Sequence, residues 1–258
     1  MLSDKVVLIT GGSRGLGKAL AKAFAAEGAR VVIAARNPET LEAARGEIEG
    51  SGRTVLALAA DMTQPADISR VVAAAIEHFG RIDLLINNGG TLGPTPRPSL
   101  LNTDPDAMLE TFRVNTVGPL RVTQAVLPHM IEQGRGLVVN VTSDAARGAY
   151  PEWGAYGASK AALERIGLTW AAELEGTGVR VVNVDPGDLQ TDMQQAAFPG
   201  EDIRINSSRG VTTLDIKLIK GLHCKLSCPC PSIHAGSLIF NWQFVRAGRN
   251  RIHRDNQS

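Results

Sequence analysis

The stretch Val6-Val7-Leu8-Ile9-Thr10-Gly11-Gly12-Ser13-Arg14-Gly15-Leu16-Gly17 decides the fold. Its first four residues are apolar and mostly β-branched, as a strand buried on both faces requires. The chain then breaks into a glycine loop, where residues without Cβ allow a sharp turn and a close backbone approach. From Lys18 to Glu27 the spacing becomes helical, with Leu20, Phe24 and several alanines on one side, and Gly28 ends the segment. A strand, a glycine turn and a helix in that order open a βαβ unit.

The same alternation continues outward. Val31–Ala35 is predicted as a second strand, and Pro38 opens the next helix. Residues 54–60 form a third strand. Asp61 and Thr63 are placed to cap the helix that runs through Ile68, Val71, Val72 and Ile76 to Phe79. Ile82–Ile86 is a fourth strand, ending at Asn87-Asn88-Gly89-Gly90 and a loop with Pro94, Pro96 and Pro98. One long helical region then extends from about Pro105 to Gln133. Leu137–Val141, Tyr156–Glu175 and Val179–Val184 read as strand, helix and strand. Repeated βα units of this length imply a Rossmann-type α/β fold: a doubly wound parallel sheet in three layers, α/β/α.

The chain has 258 residues and a formal net charge of +1, which favours neither nucleic acid nor an anionic membrane as main partner. No apolar run approaches the roughly 18–20 residues needed to span a bilayer. The N-terminus carries no basic flank followed by a long apolar segment, so a cytoplasmic location is expected. Residues 1–200 form one expected domain, and 201–258 an atypical tail rather than a second domain. From residue 193 onward nine basic residues face four acidic ones, alanine becomes scarce, and all three cysteines occur. Gly236–Phe240 is a candidate last strand.

The glycine loop can cradle a pyrophosphate on the N–H groups of the helix that follows it. Strand two of NAD-binding folds ends on a carboxylate for the ribose 2′-hydroxyl. Here that position is Ala35, and Arg36 follows. Arg14 and Arg36 can instead clasp a 2′-phosphate, so NADP (NADPH) is expected rather than NAD.

Tyr156 and Lys160 lie four apart on a helix and share a face. A phenol near an ammonium should ionise more readily than its usual value near 10, which suits acid–base work on an alcohol or carbonyl. Ser143 closes the fifth strand, where its hydroxyl can bond a substrate oxygen. Asn115 lies within the long helical region, where an amide either faces solvent or has a polar task.

In these residues the sequence resembles the short-chain dehydrogenase/reductase family over about residues 4–192. The loop Gly11-x-x-x-Gly15-x-Gly17 matches the family's variant fingerprint, and Asn87-Asn88-Gly89-Gly90 resembles its Asn-Asn-Ala-Gly with glycine for alanine. The resemblance implies catalytic roles for Asn115, Ser143, Tyr156 and Lys160, with Asn115 holding a water in a proton relay and Lys160 also bonding the nicotinamide ribose. It implies cofactor contacts from Gly11, Ser13, Arg14, Gly15, Leu16, Gly17, Arg36, Asp61, Met62, Asn88 and Gly89, and from Tyr156, Lys160, Pro186, Gly187 and Thr191. It further implies an oxidoreductase acting on a small carbonyl or alcohol, and a homodimer or homotetramer.

No metal is expected: Cys224, Cys228 and Cys230 have an unusual spacing for a zinc site, crowded by Pro229 and Pro231. Trp153 either lines the substrate pocket or packs. Past Thr191 the family continues with a covering helix pair, a further helix and a seventh strand; Met193–Phe198 is a candidate start of the covering segment, whereas residues from about 203 onward do not read that way. Two readings follow: an active enzyme, or a variant with an altered C-terminus that binds nucleotide or a partner without turnover.

Overall fold

The computed structural model describes residues 2–50, 53–200 and 239–240. Seven parallel strands form one sheet: β1 (Val6–Thr10), β2 (Arg30–Ala35), β3 (Val55–Ala59), β4 (Leu84–Asn87), β5 (Gly136–Val141), β6 (Val179–Val184) and β7 (Ile239–Phe240). Their order is β3-β2-β1-β4-β5-β6-β7. The chain winds outward from β1 to β3, then returns to place β4 on the other side of β1. That reversal opens a crevice beyond the carboxyl ends of β1 and β4, where such folds bind ligands.

Period-two alternation divides the core between the two faces of the sheet. Val7, Ile9, Val31, Ile33, Leu84 and Ile86 pack with Leu20, Phe24, Leu41 and Ile48 of α1 (Gly15–Ala26) and α2 (Pro38–Glu49). Val6, Leu8, Val32 and Leu85 point the other way. They meet Ile68, Val71, Val122 and Val126 of α3 (Pro65–Phe79) and α5 (Gly118–Glu132). The three-layer α/β/α fold read from the sequence is the one observed. No described helix is long and apolar enough to cross a membrane.

Three asparagines stand in register across the central strands: Asn87 opposite Asn140, and Asn140 opposite Asn183. Asn87 Nδ2 donates to Asn140 Oδ1 at 2.9 Å, and Asn140 Nδ2 to Asn183 Oδ1 at 3.1 Å. Asn183 Nδ2 then donates to the Glu164 carbonyl of α6 (Gly154–Glu173) at 2.9 Å. All three amide nitrogens thus have partners, while Asn87 Oδ1 at the end of the row is buried without one among the described residues. The row fixes the strand register and docks α6, the helix that carries Tyr156 and Lys160.

Three local expectations are corrected. Helix α3 starts at Pro65 with Gln64 as its cap, and Asp61 instead accepts from Thr63 N and Oγ1 in the preceding turn. The long helix is divided: α4 (Pro105–Phe112) passes through a π-turn (Arg113–Val117) into α5. The fourth strand spans Leu84–Asn87 rather than beginning at Ile82. In the tail, Ile239–Phe240 of the expected last strand pairs with Asn183–Val184, while the cysteines lie outside the described residues.

Candidate active site

The crevice is a cleft of about 1330 Å³ that runs from the glycine loop to the end of β6. Its glycine loop is close-packed. Gly11 has φ +66°, and a Cβ on Gly17 would lie 2.3 Å from the Gly11 carbonyl oxygen. Asn88 ties this loop to the one after β4: its Nδ2 donates to the Thr10 and Gly11 carbonyls at 3.0 and 3.2 Å. Thr10 Oγ1 accepts in return from Asn88 N and Gly89 N.

Helix α1 begins at Gly15 without a side-chain cap and with no acidic residue in its first turn. Its leading N–H groups face the cleft unneutralised, a chemistry that fits an anion such as a phosphate. Among the described residues neither Arg14 nor Arg36 makes an ion pair, and both line the cleft. Ser13, Leu16, Asp61, Met62, Pro186, Gly187 and Thr191 line it as well. Thr191 caps α7 (Asp192–Ala197) and lies against Gly15, so the segment after β6 reaches back to the glycine loop.

At the other end, Gly157 lets α6 approach the turn after β5, since a Cβ there would sit 2.6 Å from the Ala145 carbonyl oxygen. That approach places Tyr156 and Ser143 together on the cleft wall, where the Ser143 hydroxyl favours the ionised form of the phenol. Lys160 Nζ is 5.8 Å from the Tyr156 ring centre and donates to the Val141 carbonyl at 2.8 Å. Burial holds the Lys160 ammonium down, to about 8. Burial pushes the Tyr156 phenol up to about 12, the Ser143 hydroxyl opposing and the charges of Asp185 and Asp144 adding to the rise. The expectation that the ammonium lowers the phenol is thus corrected: desolvation outweighs it in the protein alone.

Asn115 is fully buried in the π-turn. Its Oδ1 accepts from Thr91 N at 2.8 Å, and its Nδ2 donates to the Thr91 carbonyl at 2.8 Å and to Ser159 Oγ at 3.0 Å. Ser159 in turn donates to the Tyr156 carbonyl at 2.7 Å. Asn115 therefore stands behind the cleft wall, joining the loop after β4 to α6, and neither it nor Gly17 lines the cleft. π-turns inside helices recur where a side chain must be aimed at a functional site.

Ser159 carried no signal in the sequence, because its task depends on a partner 44 positions away. The cleft is also lined by Asp144, Tyr150 and Asp185, which sequence reasoning passed over. Asp185 is buried, and burial pushes its carboxyl up. Beside Tyr156 an apolar wall forms from Leu92, Ala145 and Ala197, with Trp153 and Phe198 packed on it. Trp153 meets the Tyr156 ring edge-on at 5.5 Å. Among the described residues no group of three or more His, Cys, Asp or Glu side chains could hold a metal.

Comparison with known proteins places this geometry. The family model described as short chain dehydrogenase matches residues 5–202. The 2-(R)-hydroxypropyl-CoM dehydrogenase of Xanthobacter autotrophicus is 36% identical over 78% of this chain and 81% of its own length. The glycine betaine reductase ATRR of Emericella nidulans is 36% identical over 79% of the chain, but the match spans only 16% of that longer protein. Among solved structures, a 3-ketoacyl-(acyl-carrier-protein) reductase from Brucella melitensis complexed with NADH has a TM-score of 0.77 at 30% identity, over 87% of this chain and 92% of that one. A metagenomic short-chain oxidoreductase in complex with NADP has a TM-score of 0.68 at 35% identity, over 72% and 83%. With the crevice, the glycine loop and the Ser143–Tyr156–Lys160 grouping in place, the chain belongs to the short-chain dehydrogenase/reductase family of oxidoreductases.

Proposed function

We propose that the protein is an NADP-dependent oxidoreductase that moves a hydride between the nicotinamide and the carbon of a small carbonyl or alcohol, with Tyr156 moving the proton. The observation that carries this reading is the convergence of Ser143, Tyr156 and Lys160 at one end of a cleft whose other end is an uncapped helix terminus. The bound cofactor supplies the hydride. The remaining work falls to side chains of this chain. The α1 terminus and the glycine loop hold the pyrophosphate, and Arg14 and Arg36 hold the 2′-phosphate by charge-assisted bonds. Tyr156 donates its phenolic proton to the oxygen of a carbonyl under reduction, and accepts one from an alcohol under oxidation. Lys160, one helical turn on, bonds the ribose and favours the phenolate when it forms. The Asn115 side chain is engaged with Thr91 and Ser159 and so fixes the loop after β4 against the helix that carries Tyr156 and Lys160.

A thermal-shift titration with NADPH and with NADH tests the cofactor: stabilisation by NADPH at lower concentration supports it, and preference for NADH overturns it. Tyr156→Phe tests the chemistry, which predicts a loss of about 10²–10⁴-fold in turnover with cofactor binding retained. One observation favours a second reading, a nucleotide-binding variant without turnover: the family match ends at residue 202 of 258. Wild-type turnover that disappears in Tyr156→Phe eliminates it.

A further inference from the structure

We propose that Asp185 is the counter-ion of the oxidised nicotinamide, so that the bound cofactor pair is biased toward reduction of a carbonyl. The proposal rests on the reading of the protein as a nicotinamide-dependent oxidoreductase.

Asp185 follows the last residue of β6, Val184, which stands in register with Val141 of β5. It therefore sits at the carboxyl edge of the sheet, beside the strand end that leads to Ser143 and whose Val141 carbonyl accepts from Lys160. It is only 5% exposed, yet it lines the cleft together with Tyr156 and Lys160. Its Oδ1 accepts from Gly187 N at 3.0 Å. Among the described residues no second donor reaches this carboxylate and no basic side chain pairs with it. Arg147 is engaged instead by both oxygens of Glu164. The Lys160 ammonium is moved by burial and by no neighbouring charge, so it does not offset Asp185. A buried carboxylate without a counter-ion is costly, and a cation entering the cleft relieves that cost. Burial accordingly pushes the Asp185 carboxyl up, with the Gly187 bond opposing.

The reaction names the cation. A reduced nicotinamide ring is neutral; on giving up a hydride with its electron pair it becomes positive. The carbonyl takes that hydride at carbon and a proton from Tyr156 at oxygen. The ring must therefore reach the carbon whose oxygen Tyr156 serves, at the end of the cleft where Asp185 forms part of the wall. A carboxylate there attracts the oxidised ring and is indifferent to the reduced one. The attraction is several times stronger in a buried site than in bulk water. Of the other carboxylates that act on Asp185, Glu164 is paired with Arg147, and Asp144 is exposed, where solvent and salt screen it. By linkage, the factor by which Asp185 favours the oxidised form makes the bound reduced cofactor a stronger hydride donor by the same factor.

The test is calorimetric titration of the full chain with NADP+ and with NADPH at one pH and ionic strength. The two forms share every contact except the charge on the ring, so the ratio of their dissociation constants reads that charge. Asp185→Asn removes the carboxylate charge and keeps an oxygen for Gly187 N. It is expected to weaken NADP+ about tenfold and NADPH by less than about threefold. Asp144→Asn removes an equal but exposed charge from the same cleft and should leave the ratio within about twofold of wild type. An unmoved ratio in Asp185→Asn overturns the proposal, because a merely structural Asp185 would weaken both forms together. An equal shift of the ratio in Asp144→Asn overturns it too, since the general charge of the cleft would then suffice. Should Asp185→Asn not fold, Asp185→Ser, neutral and still able to accept from Gly187 N, takes its place. If NAD+ and NADH bind more tightly, the same comparison is made with them. Wild-type protein that binds neither pair overturns the reading of function as well, whereas binding of both forms with an unmoved ratio overturns this proposal alone.

Discussion

Lys160 Nζ lies 5.8 Å from the Tyr156 ring centre and donates to the backbone carbonyl of Val141 at 2.8 Å. Among the described residues it has no carboxylate partner. A buried ammonium without a counter-ion is a destabilising arrangement kept for another purpose.

Lys160→Met should therefore stabilise the fold while abolishing turnover. Burial lowers the lysine from 10.5 to about 8, an energetic cost to the folded state of about 3 kcal/mol. Loss of the bond to Val141 returns about 1 kcal/mol of that. The sign with pH follows from proton binding. Between the folded and unfolded values the unfolded chain holds a proton that the folded one has released, so wild-type stability rises with pH across that window. The penalty is fully present below about pH 8 and fades as pH nears 10.5. Denaturant melts at pH 7 and pH 10 check this: the variant should exceed wild type at the lower pH and lose its advantage at the higher one. A wild type as stable as the variant at pH 7 would show the ammonium to be better solvated than its burial implies.

Arg36 follows the position at the end of β2 where an acid would hold an unphosphorylated ribose. Arg36→Ala should weaken NADPH by about 10- to 100-fold, the worth of a charge-assisted bond of about 1.5–3 kcal/mol. NADH, which has no phosphate there, should change by less than about threefold on the same energy scale. Fluorescence titration with each cofactor separates the cases. A parallel loss for both would mean that Arg36 shapes the loop rather than reading the phosphate.

Glycine at position 89 stands where the family has alanine, and the structure shows room for the methyl group. A Cβ there would find its nearest neighbours, Gly11 N and Thr10 Oγ1, at 3.4 Å, with no left-handed backbone to strain. Gly89→Ala should stabilise by about 0.4–1 kcal/mol, through the unfolded chain. Gly17→Ala is the contrast: its Cβ would lie 2.3 Å from the Gly11 carbonyl oxygen and 2.6 Å from Asn88 Nδ2. It should destabilise by about 1–3 kcal/mol. Urea midpoints of the two variants, moving in opposite directions, are the check.

Features set by local backbone rules were legible in the sequence. The strand–glycine loop–helix unit, the βα alternation and the shared face of Tyr156 and Lys160 need only chain stereochemistry and spacing. Features that depend on a distant partner were not. At the π-turn Thr91 and Ser159 converge on the Asn115 amide, and nothing near residue 115 announces either. The sign of the Tyr156 shift escaped for a related reason: spacing shows the neighbouring ammonium but not the extent of burial. Asp144 was passed over because it meets Tyr150 across a loop without periodicity.

Arg97 was equally hidden, and its contacts make it a clasp on the segment from α7 to Phe198. Its guanidinium lies 4.0 Å from the Trp153 ring centre and 5.6 Å from that of Phe198. Its Nη1 donates to the Ala197 carbonyl at the end of α7 at 2.6 Å. Arg97 does not itself line the cleft, while Trp153 and Phe198 do. Arg97→Ala removes a stacked cation worth about 0.5–2 kcal/mol and a hydrogen bond worth about 1 kcal/mol. It should raise KM for a carbonyl substrate by about 10- to 100-fold, since the segment must then be ordered at each binding event. The NADPH dissociation constant should stay within about threefold of wild type. Arg97→Lys keeps the charge but not the planar stack, so it should recover only part of the loss. Steady-state kinetics with a binding titration decide the matter: equal losses for substrate and cofactor would assign Arg97 to general stability, whereas a loss confined to substrate KM places it at closure of the site.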